Sequence, residues 1–175
     1  LREFLNNIAW SLGEVKNFRK TRPYFEESAR LGGGNALATL TWRALLSGQH
    51  QEGIDYFNSN YYKMMITRES DLDFEQAANA RSNNALNRWA LGESPEKLRA
   101  IWADDYLQGN HVESKFYPIL IDFEAGDHEA ADSALKNLTN SERRNLKQTF
   151  EEEQNNPFWF GSLCKRALNL LWRVN

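Results

Sequence analysis

The chain has 175 residues, 41% of them apolar and 13% aromatic, with a formal net charge of −3 and both signs interspersed. That length supports one compact array with a substantial core, and the even charge argues against the clustered basic patch of a nucleic-acid surface. Ten glycines and four prolines are few for an all-β chain, and no apolar run reaches the ~18 residues that span a bilayer.

Cys164 is the only cysteine, so neither an internal disulfide nor a multi-cysteine metal site forms. A buried small residue is its expected role. No signal peptide opens the chain, which points to the cytoplasm. The first residue is Leu1, however, and an excised segment would leave its targeting sequence behind.

Residues 4–12 match residues 36–44 at an offset of 32, with Leu5 on Leu37, Ile8 on Leu40 and Trp10 on Trp42. The same offset lays Tyr24-Phe25 on Tyr56-Phe57, so both helices of a hairpin repeat in one register. The turn of that hairpin lies in 47–57. Leu37, Leu40, Ala44 and Trp42 share a broad face before it, at helical spacing. Gly48 ends the helix, because glycine takes the left-handed conformation without a steric penalty. Ile54, Phe57 and Tyr61 then turn inward.

Between Tyr61 and Ala80 about ten extra residues are inserted without Gly or Pro. They are read as extending both flanking helices, with Ser70 or Asp71 as the second cap. A diverged hairpin follows, with Ala85, Leu86 and Trp89 before a Gly92 turn and Leu98, Ile101, Trp102 and Tyr106 after it. Ser94-Pro95-Glu96 suits a helix start. In the fourth hairpin Gly126-Asp127-His128-Glu129 resembles Gly48-Gln49-His50-Gln51, shifted by 78. Thr139-Asn140-Ser141-Glu142 is a capping signature for a charged helix over 141–154. Pro157 starts a last helix over 158–172. The expectation is an all-α chain of about ten helices: four antiparallel hairpins and two C-terminal helices.

At these residues the chain resembles the tetratricopeptide-repeat superfamily, including its Sel1-like branch. That family repeats near every 34 residues and sets a small residue four before an aromatic in the second helix. Gly53 with Phe57, Thr21 with Phe25 and Ala131 with Leu135 fill those places, and Ser28-Ala29, Gly32 and Ala36 resemble the Sel1-like junction. The Trp-x-x-Leu-Gly pattern and the closing proline are absent. The resemblance covers 2–138 and implies a right-handed α-solenoid, with 139–175 as capping helices of the same compact domain. It further implies a scaffold whose concave face grips a peptide or partner domain. Leading helices line that wall, which places Asn6, Trp10, Ala38, Trp42, Arg81, Ser82, Asn83, Leu86 and Trp89 on the partner-binding face.

Trp10 and Trp42 carry two readings, inter-helix core or an aromatic strip for a ligand. His50, His111 and His128 sit near turns or helix starts, where packing accounts for them better than catalysis. None lies in a metal signature such as His-Glu-x-x-His. Asp71/Asp73 and Asp104-Asp105 are read as caps or solvated faces, since adjacent acids on a helix diverge by about 100°. Gly32-Gly33-Gly34 lacks the Gly-Lys-Ser/Thr of a phosphate loop. The leading expectation is therefore a non-enzymatic protein- or peptide-binding module with no cofactor, metal, nucleic acid or membrane partner. The alternative is a structural or oligomerisation domain whose groove is filled by its own last helix. Phe160, Leu168 and Trp172 widen the apolar side of that helix, so it is expected to pack on the fourth hairpin with one side and to meet, with the other, either a second copy in a two-fold homodimer or the chain's own concave wall.

Overall fold

A computed structural model describes residues 1, 4–5, 7–8, 14–67, 71–103 and 112–173. Among them the regular structure is helical, with nine helices and no strand. The protein is thus all-α. The helices gather into two compact units, Leu1–Leu91 and Gly92–Asn175.

The first unit holds α1 (Glu14–Arg30), α2 (Gly34–Leu46), α3 (His50–Thr67) and α4 (Asp71–Ala90). Nine of the 13 residues of α2 are buried, which makes it the central element. Its most extensive neighbours are α4 and then α3, while α1 lies mainly on α2. Contacts fix the directions. Arg22 meets Glu52 and Glu26 meets Tyr56, both 30 residues apart, so α1 and α3 run parallel. Asn83 meets Ala38 and Asn87 meets Thr41, 45 and 46 apart, so α2 and α4 run parallel too. Phe25, Leu37, Leu40 and Met64 form the core with Ala29, Ala36, Ala77 and Ala80.

The inserted residues act as the sequence indicates: α3 continues to Thr67 and α4 starts at Asp71. Of the two proposed caps, Asp71 is the first residue of α4, and Ser70 lies outside the described residues.

Four glycines, Gly32, Gly48, Gly92 and Gly126, hold φ between 71° and 91°. At three of them the next amide bonds back to the carbonyl five residues earlier: Gly33 to Ser28, Gln49 to Ala44 and Asp127 to Asp122, each at 2.9 Å. This is the left-handed helix end that glycine permits and a Cβ opposes.

The second unit holds α5 (Pro95–Trp102), α6 (Val112–Glu124), α7 (His128–Lys136), α8 (Asn140–Glu153) and α9 (Trp159–Trp172). Pro95 opens α5 behind Ser94, which caps by backbone conformation and not through its side chain. Thr139 and Glu142 make a complete capping box at α8. Trp102 lies tilted against Tyr117 with ring centroids 5.0 Å apart, and Phe116 lies 5.4 Å from Phe150. These rings fill the unit's interior. Position 138, where the sequence sets the capping helices apart, falls inside this unit.

The last helix buries Phe160, Leu163, Cys164, Ala167, Leu168, Leu170 and Leu171. It packs on α8 and also reaches α6, through Arg166 to Glu124 at 3.0 Å and the Arg173 guanidinium over Phe123. Phe160 and Leu168 are buried within the chain. Trp172 and Phe158 stay 55% and 46% exposed.

Candidate functional site

The α2–α4 contact is built from small residues and amides. Gly53 of α3 faces it: a Cβ there would come within 2.7 Å of Asn87 Nδ2 and 3.0 Å of Ala44 Cβ. Only glycine lets the three helices approach so closely. This accounts physically for the glycine four before Phe57.

Side-chain amides cross the seam. Asn83 Nδ2 donates to the Ala38 carbonyl at 3.1 Å, and Asn87 Nδ2 donates to the carbonyls of Thr41 at 3.0 Å and Asn83 at 2.9 Å. Thr41 Oγ1 in turn donates within α2, to Leu37 and Ala38 carbonyls. With both Asn87 N–H groups committed, its Oδ1 must accept from His50 Nδ1, 3.2 Å away. That bond puts the hydrogen of His50 on Nδ1. Buried groups so paired specify one register, because breaking a pair leaves an unsatisfied dipole.

The expected site residues divide on this frame. Ala38 and Leu86 are buried at 7% and 2% exposure, within the inter-helix packing. The amide of Asn83 is engaged across the seam. Trp42, Arg81, Ser82 and Trp89 are half-buried. Ser82, Leu86 and Trp89 recur at i, i+4 and i+7 on α4, while Ala38 and Trp42 share one stripe of α2. Ala38 and Leu86 are thus closed in the packing, while Trp42, Trp89 and Arg81 keep part of their surface open. Asn6 and Trp10 lie outside the described residues, as do His111, Asp104 and Asp105. His128 packs on Phe123, with ring centroids 4.6 Å apart.

One cluster was not apparent in the sequence. Arg22 Nε donates to Glu26 at 2.8 Å, and its terminal nitrogen reaches Glu52. Tyr56 Oη donates to Glu26 at 2.5 Å and approaches Glu52 at 3.3 Å, under the Arg22 guanidinium. Burial, then the Glu26 hydrogen bond, drives the Tyr56 phenol well above its usual range. Burial works against ionising Glu26, yet hydrogen bonds from Tyr56 and Arg22 hold it below the usual carboxylate range. Two acids, a cation and a phenol satisfy one another here, and the result clamps α1 to α3. The signal that could have revealed it is the 30-residue spacing of Arg22 from Glu52 and Glu26 from Tyr56.

Cys164 is fully buried, and burial followed by the charge of Glu153 pushes its thiol up to about 12. Such a thiol is unreactive at neutral pH. No group of three or more His, Cys, Asp or Glu side chains suited to a metal occurs among the described residues. No described helix is long and apolar enough to cross a membrane. Comparison with known proteins finds no matching family model, no matching curated protein and no matching solved structure.

Proposed function

We propose that this chain is a non-enzymatic docking module of stacked helical hairpins, related to the tetratricopeptide and Sel1-like repeats, that grips an extended peptide or partner domain on the α2–α4 face. The carrying observation is the hydrogen-bonded seam. Asn83 and Asn87 tie α2 to α4, so the two helices are held in one register before any partner arrives. A surface ordered in advance loses less entropy on association. Trp42 and Trp89 supply the residue type favoured at binding hot spots, and Arg81 and Ser82 supply polar groups to orient a ligand. Parallel next-but-one helices, with left-handed glycines ending α1, α2 and α6, support the hairpin-repeat reading.

Panning a phage-displayed random peptide library on the intact chain tests this function. The expected outcome is an enriched consensus whose binding drops at least about tenfold with Trp42→Ala, a loss of hot-spot size. Circular dichroism and melting temperature of the variant serve as the folding control. No enrichment, or a consensus indifferent to both Trp42→Ala and Trp89→Ala, would remove the proposal.

A further inference from the structure

A second surface, formed by α8 and the end of α9, lies wholly within Gly92–Asn175. On α8, Arg144, Asn145, Gln148, Glu151 and Glu152 are all exposed and share one face at helical spacing, with Gln148 at its middle. The face is polarised. Arg144 stands in the first half of the helix, and Glu151 and Glu152 stand in the last turn, which holds no basic residue. That order opposes the helix dipole, whose C-terminal end favours cations.

These charges are not neutralised within the chain. Arg144, Asn145 and Glu151 make no hydrogen bond or ion pair among the described residues. Glu152 accepts only from Gln148 Nε2, a neutral amide, at 3.2 Å. Beside the face stands an indole: Lys147 Nζ lies 3.8 Å from the centre of the Trp172 ring, which is more than half exposed. Trp172 also borders an open groove with Glu151 and Asn169.

We propose that this surface binds a second copy of the chain, with the two α8 helices antiparallel about a two-fold axis at Gln148. Charge complementarity selects both the occupant and the direction. Arg144 and Glu151 stand about 6 and 4.5 Å from Gln148 along the helix, at 1.5 Å per residue, so each meets the other across the axis. Asn145 meets Glu152 of the second copy in the same way, its amide donating to the carboxylate. At the axis Gln148 meets itself, and a primary amide carries both a donor and an acceptor. Each contact is thus made twice, as an isologous interface requires. A parallel pairing would set Arg144 on Arg144 and Glu151 on Glu151, which like-charge repulsion opposes. Lys147 holds Trp172 one residue from the axis, so the two indoles meet near the centre, where a large aromatic contributes most. This inference does not rest on the α2–α4 face, which lies in the other unit and is tested by other residues.

One helix face and an indole make a small interface, so the association is weak and concentration-dependent. Sedimentation velocity on the intact chain, from about 10 μM to about 1 mM, reads it. A reversible monomer–dimer equilibrium is expected, weakened at least about fivefold between about 50 mM and about 1 M salt. Arg144→Glu and Glu151→Arg each set like charges across the axis and should each weaken self-association at least about tenfold. Both positions are exposed, and circular dichroism confirms the fold of each variant. An equimolar mixture of the two single variants regenerates the opposite charges and should associate about as tightly as the parent. Trp172→Ala should weaken the dimer at least about tenfold. The proposal is overturned if the chain stays monomeric to about 1 mM, or if either charge reversal or Trp172→Ala leaves the dimer within about fivefold of the parent. It is equally overturned if the mixture associates no better than the single variants alone.

Discussion

In Leu1–Leu91, α2 and α4 meet through glycine, alanine and threonine, and side-chain amides cross the contact. In Gly92–Asn175, Trp102, Phe116, Tyr117 and Phe150 fill the space between helices with rings. The close approach tolerates one register, since an added Cβ meets an amide and each amide needs its own carbonyl. Its contacts keep sequence separations of 42 to 46 between α2 and α4. A ring-filled interior has no such requirement. Between α6 and α8 the separations are 27 for Lys115–Glu142, 36 for Glu113–Thr149 and 34 for Phe116–Phe150.

The comparison predicts different sensitivities. Phe150→Ala should have the largest effect, about 3–5 kcal/mol by urea denaturation. Its loss of hydrogen-exchange protection should be greatest in the second unit. A value under about 1 kcal/mol would mean the rings do not carry that core.

Gly53→Ala should cost about 1–3 kcal/mol by overpacking, although it adds only a methyl group. Asn87→Ala should cost a similar amount by leaving the Thr41 carbonyl without its donor. Because the Gly53 Cβ would fall on Asn87 itself, the double variant should be milder than the sum, by about 1 kcal/mol in a double-mutant cycle. Strict additivity would show that the seam is not a single contact.

Glu142 should respond to pH. The Lys115 hydrogen bond, then those from Thr139, bring its carboxyl down to about 2, against about 4.3 in an unfolded chain. A depressed acid stabilises the fold fully above the unfolded value and loses that contribution as pH falls through about 2. Glu142→Gln should therefore cost about 1 kcal/mol at neutral pH, the worth of a helix cap, and should flatten the acid limb of the stability profile. An unchanged limb would assign the acid response to other carboxylates.

The smallest effect belongs to the partly exposed Arg22–Glu52 pair. Glu52→Gln should cost under about 1 kcal/mol, with the loss reduced at high salt.

Local chemistry was legible in the sequence and distant pairing was not. Gly48, Gly126, Pro95 and the Thr139–Glu142 box mark helix ends by interactions within a few residues, and the helices begin or stop there. The inserted residues lack Gly and Pro, and α3 and α4 are long accordingly. Asn83 reads as a groove residue by its place on α4, yet its amide turns to Ala38. Choosing between those roles requires knowing which carbonyl lies opposite. The last helix is expected on the fourth hairpin, and only the fold shows which side chains reach it, Arg166 at Glu124 and Arg173 over Phe123 of α6. The four-residue clamp on Tyr56 depends on a 30-residue contact that no local pattern displays.

Hydrogen exchange read by mass spectrometry, on the intact chain with and without a saturating panned peptide, tests the docking face most directly. Slowed exchange is expected in 34–46 and 79–90, and the same peptide should leave those segments unchanged in the Trp42→Ala protein. Protection confined to 112–142, or protection of α2 and α4 that persists in Trp42→Ala, would contradict it.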